Sequence, residues 1–177
     1  MTLHGMPLRC AASPESSMDF RHLIWLFPTV LTLHNAEEAI WLPAWSADAG
    51  RWYKPIAPRI FRAAALVLTV FAWLVTWMSS RSGGQSVWTY LAFGFMAAML
   101  GNIIIPHAVL TIAMRKYMPG LASALALNLP FLSWLVFLAL KEGQVSGGKA
   151  IASILGVPML LALSIPLLFK IGKAMGL

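Results

Sequence analysis

Apolar residues fill this chain in blocks of about twenty, separated by short polar links. A block of that length is what one α-helix needs to cross the ~30 Å hydrocarbon core of a bilayer. The blocks predict five spanning helices, roughly over 22–43, 59–79, 87–114, 120–140 and 150–171. Links such as "SSRSGGQS" and "KEGQVSGG" are rich in Gly and Ser, as tight connections between antiparallel helices are. There is no internal repeat and no coiled-coil heptad. The expected fold is an all-α integral membrane protein, a bundle of about five transmembrane helices.

Composition agrees. Of 177 residues, 59% are hydrophobic and 11% charged, against about 25% charged in soluble domains. Residues 19–177 read as a single transmembrane domain. Residues 1–18 lack the apolar core of a signal peptide and read as a disordered tail. The net charge of +7 would suit a nucleic acid, but the Lys and Arg residues sit in the gaps between apolar runs. That is the pattern of membrane loops, so the expected partner is the bilayer and nucleic acid is set aside. Five basic residues fall on the N-terminal side of the membrane and eight on the other, which predicts N-out/C-in in a bacterial cytoplasmic (inner) membrane. The single cysteine, Cys10, excludes an intrachain disulfide framework.

One block breaks the apolar rule. "LTLHNAEEAIWLP" over 31–43 holds two of the chain's six acidic residues inside a predicted span. At 100° per residue His34, Glu37 and Glu38 occupy one face about 100° wide, with Trp41 continuing it a turn later. They lie about 8–14 Å from the cytoplasmic end of their helix, at 1.5 Å per residue. His107 in the third span and Asn128 in the fourth fall at nearly the same depth. Pro106 removes the helical partner of the Asn102 carbonyl, beside His107, with Thr111 one turn on. Pro130 does the same for the Ala126 carbonyl near Asn128. Carbonyls freed at membrane depth need an interior or wet partner, so a polar cavity open toward the cytoplasm is expected.

Two further segments, "GNIIIPHAVLT" and "YMPGLASALALNLP", accompany the H-x-x-E-E pattern of His34, Glu37 and Glu38. Together they resemble the HXXEE family of polytopic membrane proteins, over most of the chain after residue 20. The resemblance implies a polytopic fold and a shared polar site at His34, Glu37, Glu38, Asn102 and His107. It implies little about activity.

The plain alternative for the glutamates is structural: one is protonated, or pairs with Arg62 of the second helix. Ionised, each carries an insertion penalty of about 2.5–3.5 kcal/mol by analogy with aspartate, so two in succession require compensation. Histidines and carboxylates at matched depth favour one divalent transition metal, zinc before iron or manganese. A di-iron centre needs more carboxylates than this membrane core has, unless the chain forms a homo-oligomer whose subunits share a site. The expected ligands are His34, Glu38 and His107, with Glu37 left as the catalytic base. Asn102, Thr111, Asn128, Arg62 and Trp41 form the surrounding layer or substrate pocket. Three ligands and one open position make a Lewis acid, and the depth of the site suits a lipid or amphiphilic substrate. The leading expectation is a membrane-embedded metal-dependent enzyme, hydrolytic or lipid-modifying. A small proton- or metal-coupled transporter accounts for the same broken helices. Haem between His34 and His107 would leave both glutamates unexplained, and a non-catalytic assembly factor stays open.

Overall fold

The computed structural model describes residues 19–177, and every regular element among them is helical. The tail expected over 1–18, including Cys10, lies outside the described residues.

A single turn, α1 (Phe20–Leu23), leads into α2 (Leu26–Ala47). Pro28 makes the break between them. Having no N–H, it leaves the Ile24 carbonyl unclaimed, and Phe27 N–H takes it at 3.0 Å in a tighter turn. The Glu142 carboxylate then accepts the Phe20 N–H at 3.0 Å, fastening the start of α1 to the far end of the fourth span. The 24-residue α3 (Pro58–Arg81) begins on a proline, which needs no donor there. Next, α4 (Val87–Asn102) starts at Ser86, whose hydroxyl accepts the Thr89 N–H.

Two spans carry a π-type turn near a proline, and the first of them is broken there. A wide π-type turn, Ile103–Ala108, separates α4 from α5 (Val109–Met114). Within it Ile105 is extended, the conformation favoured just before a proline. A second π-type turn, Ala124–Asn128, joins α6 (Leu121–Ser123) to α7 (Leu129–Lys141), with Pro130 in the first turn of α7. The last helix, α8 (Gly147–Ala174), runs unbroken through Pro158 and Pro166.

Four units are long and apolar enough to cross a membrane: Pro58–Arg81, Val87–Met114, Leu121–Lys141 and Gly147–Ala174. The expected fifth, α2, has the length, 22 residues or about 33 Å, but not the composition. Four polar side chains in five positions, His34, Asn35, Glu37 and Glu38, dilute its apolar character.

The first helix also continues past its expected end at Pro43, to Ala47. Pro43 frees the Ala39 carbonyl, and Arg62 of α3 donates its Nε to that oxygen at 3.1 Å. Arg62 thus mends the proline gap in α2 and does not pair with Glu37 or Glu38. The main core gathers Phe27, Leu31, Phe93, Met96, Leu132 and Leu135, all buried. There α4 approaches α8 so closely that a Cβ on Gly94 would lie 2.4 Å from the Ser153 carbonyl oxygen.

Candidate metal centre

His34 and Glu38 stand one turn apart on α2, and the π-type turn after α4 delivers His107 to the same point. Both histidines are fully buried, their ring centroids 5.1 Å apart and their planes nearly perpendicular. Glu38 Oε1 lies 3.2 Å from His107 Nε2 and 3.8 Å from His34 Nε2. One donor atom from each of the three residues lies within 4.8 Å of the others, so the group could hold a metal ion.

Hydrogen bonds fix where the protons sit. Ser123 Oγ has one proton, committed to Glu37 Oε2, which is nearer than its other acceptor, the Gly120 carbonyl. His34 Nδ1, 3.1 Å from Ser123 Oγ, therefore carries a proton and donates it. That leaves the lone pair on His34 Nε2, which is buried and has no hydrogen-bond partner. Asn102 Nδ2 donates to His107 Nε2 at 3.0 Å, which occupies that atom's one lone pair and leaves the ring proton on the buried, unpartnered Nδ1. The free lone pair of His34 Nε2 therefore faces the Glu38 carboxylate without a proton between them. A divalent cation would satisfy both, with His107 Nε2 as third ligand where it exchanges the Asn102 proton for the metal, and two nitrogens with one oxygen suit Zn²⁺, Fe²⁺ or Mn²⁺. His34, donating its Nδ1–H to Ser123, has the usual supporting arrangement of a ligating histidine, whereas His107 Nδ1 has no partner.

Glu37 leaves the same helix on the other side. Oε1 accepts the Tyr117 hydroxyl and the Gly120 N–H (2.9 Å), and Oε2 accepts the Ser123 N–H (3.0 Å) and the Ser123 hydroxyl. Those four donors fill the four lone-pair sites of a carboxylate. They also tie the start of α6 to α2. Gly120, at φ +97°, makes this approach sterically possible: a Cβ there would lie 2.4 Å from His107 Cε1 and 3.0 Å from Glu38 Cγ.

The remaining candidates fall in different places. Asn102 touches His107. Thr111 Oγ1 accepts the Met118 N–H at 3.1 Å and so closes the 112–118 turn. Asn128 is fully buried with neither amide atom hydrogen-bonded, and it does not line the adjoining cavity. Arg62 serves the Ala39 carbonyl. Trp41, 55% exposed, faces a shallow cavity of about 510 Å³ on the Glu37 side, with Asp48, Lys116 and Tyr117. Four participants escape a search for ligands. Ser123 and Gly120 are signalled only by the Pro-Gly pair and the small residues after it. Tyr53 and Tyr117 sit in links that look like interfacial punctuation. Burial and the Glu38 charge push the Tyr53 hydroxyl above its ordinary pKa. Burial and the bond to Glu37 do the same to Tyr117.

On the Glu38 side lies a larger cavity of about 660 Å³, where His34, Asn35, Glu38, Asn102 and Tyr53 meet apolar walls from α3, α4 and α8.

Comparison with known proteins finds a family named for the same motif. A family profile described as "Protein of unknown function with HXXEE motif" matches residues 25–135. The uncharacterized protein YrkK of Bacillus subtilis (strain 168) is 35% identical over 151 residues, which cover 85% of this chain and 96% of that protein. No solved structure matches the chain. The motif residues of that profile are His34, Glu37 and Glu38, and the chain belongs to the HXXEE family.

Proposed function

We propose that this protein is an integral membrane metalloenzyme that binds one divalent transition metal, zinc before iron or manganese, at His34, Glu38 and His107. Its reaction is hydrolysis or modification of a lipid or amphiphile. One observation carries this reading: a buried, unpartnered His34 Nε2 grouped with the Glu38 carboxylate and the His107 ring, at the wall of a largely apolar cavity. When bound, such a metal supplies Lewis acidity toward an oxygen of the substrate. The chain's own residues do the rest. Ser123 and Glu37 hold His34 in one tautomer, and the apolar walls exclude bulk water. With its lone pairs filled, Glu37 acts here as a positioning residue, and Tyr53 becomes the polar group poised to meet substrate.

In this reading α2 crosses the bilayer as a fifth helix, its polar face turned inward onto Gly120, Ser123 and His107. The N-terminus lies outside and the C-terminus inside a bacterial cytoplasmic membrane, following the Lys/Arg bias. Thiol labelling in a Cys10→Ala background checks the orientation. Labelling of a cysteine placed at position 48 from outside intact cells would invert it.

Elemental analysis after gentle, chelator-free purification tests the centre, with about one transition metal per chain expected. Protein without metal that also fails to take up Zn²⁺, Fe²⁺ or Mn²⁺ would remove the enzyme reading. Proton-dependent uptake into vesicles, lost with Glu38→Gln and unaccompanied by any product, would favour a transporter. The π-type turns of the third and fourth spans are the feature that would then matter most.

A further inference from the structure

The larger cavity changes chemistry along its length. Its polar groups come from His34, Asn35, Glu38, Asn102 and Tyr53. The rest of its lining is hydrocarbon, including Phe61 and Leu68 of α3, Phe95 and Met99 of α4, and Leu161 and Phe169 of α8. Among the described residues, no Lys, Arg or Asp lines it. The lining residues that are exposed at the surface are also apolar. Ile105 is 70% exposed, Ile154 42% and Ile165 41%, and Gly101 and Ala162 join them. All five belong to spans long and apolar enough to cross a membrane, so this rim opens onto hydrocarbon. A polar solute entering there would give up its hydration without compensation, whereas a lipid would exchange one apolar surrounding for another.

Size narrows the occupant. A cavity of about 660 Å³ falls in the range that encloses one small ligand. It has room for one hydrocarbon chain and a compact head, not for a two-chain phospholipid. We propose that the cavity admits a single-acyl-chain lipid sideways from the bilayer. Its oxygen-bearing head lies at Glu38, His34 and Tyr53, and its chain runs between α3 and α8. The position of the head rests on the metal-centre reading. The position of the chain does not.

Photo-crosslinking tests both parts on the full-length protein in phosphatidylcholine nanodiscs. The probe is palmitic acid with a mid-chain diazirine. Adducts are expected within 154–169 and on the cavity face of α3, and excess unlabelled palmitate should reduce them at least tenfold. The surrounding phosphatidylcholine, always in large excess, should not. Ala162→Trp and Ala97→Trp each place an indole in the cavity from a different helix, and each should cut adducts at least tenfold. Unchanged size-exclusion behaviour and metal content certify that the variants are folded. If neither variant passes that check, displacement by palmitate decides alone. Adducts spread evenly over the outer faces of all helices would overturn the proposal. So would cavity adducts that palmitate does not displace, or that persist in both folded variants. Cavity adducts in protein that binds no metal would keep the acyl-chain site and remove the metalloenzyme reading. Bound metal without cavity adducts would do the reverse.

Discussion

Glu37 and Glu38 are neighbours on α2, and their side chains leave the helix about 100° apart into different surroundings. Glu37 meets four hydrogen-bond donors, two from the backbone at the start of α6 and two from hydroxyl groups. Its charge is spent on a helix N-terminus, where a carboxylate is favoured. Glu38 meets the free lone pair of His34 Nε2, the Nε2 edge of His107 and the polar part of a cavity. The first carboxylate is complete as it stands. The second is complete only with a cation or a proton. The donor inventory, more than burial, separates a structural carboxylate from one available for chemistry.

The largest expected effect falls on the Glu38 side. Glu38→Gln, His34→Ala and His107→Ala should each lower metal affinity by more than the about 10–100-fold typical of losing a supporting hydrogen bond. Titration with Zn²⁺ against a competing chelator reads this directly. Equal affinity in all three variants would place the metal elsewhere or nowhere.

Glu37 should respond in stability. Glu37→Ala strands two backbone donors and two hydroxyls, at a cost of about 3 kcal/mol, visible as a lower unfolding midpoint in detergent. The isosteric Glu37→Gln sharpens the contrast. An unchanged midpoint with turnover abolished would restore Glu37 as the base, the role its sequence position first suggests. A lowered midpoint with weakened metal binding would make it a support.

Ser123 joins the two sides. Ser123→Ala removes the acceptor of His34 Nδ1 and should weaken metal binding about 10–100-fold with little loss of stability. If metal binding is untouched, the tautomer of His34 is set by something other than Ser123 and Glu37.

The smallest effect concerns Tyr117. Its hydroxyl pKa is raised in the folded protein, so the protonated form is the one the fold favours. The stability this contributes is full below the unfolded value near pH 10 and is lost as pH rises through the folded value. Tyr117→Phe should cost about 1 kcal/mol at neutral pH. Its midpoint should also fall less than that of the parent protein as pH rises above about 10. Parallel pH curves would separate Tyr117 from the Glu37 network.

Legibility followed the range of the interaction. The helical character and the stretches long enough to span a membrane were plain from apolar block length, and the irregular turns near Pro106 and Pro130 from proline's missing donor. The spacing of His34 and Glu38 showed a shared face because both lie on one helix. Depth counting marked His107 as a third member of the group, and the structure brings it to His34 and Glu38. The plain alternative, a glutamate paired with Arg62, is not found, because Arg62 Nε donates to the Ala39 carbonyl that Pro43 frees. Depth counting was silent on Ser123 and Gly120, whose importance comes from touching residues more than eighty positions away. Depth alone likewise grouped Asn128 with the histidines, although it lines no part of the cavity beside them. Helix rotation, which decides such cases, is set by packing.

The composition of α2 has a consequence for how the chain is made. Glu37 emerges during translation 83 residues before Gly120, and until residues 117–123 follow it has none of its donors. With α2 crossing the bilayer as proposed, the nascent helix alone would present an uncompensated carboxylate pair to lipid, at about 2.5–3.5 kcal/mol for each charge by analogy with aspartate. Its stable residence there would wait for residues 117–123 to be synthesised and docked. Maturation of that helix would then be coupled to the assembly of the site it carries. A chain arrested before residue 117 would hold α2 weakly.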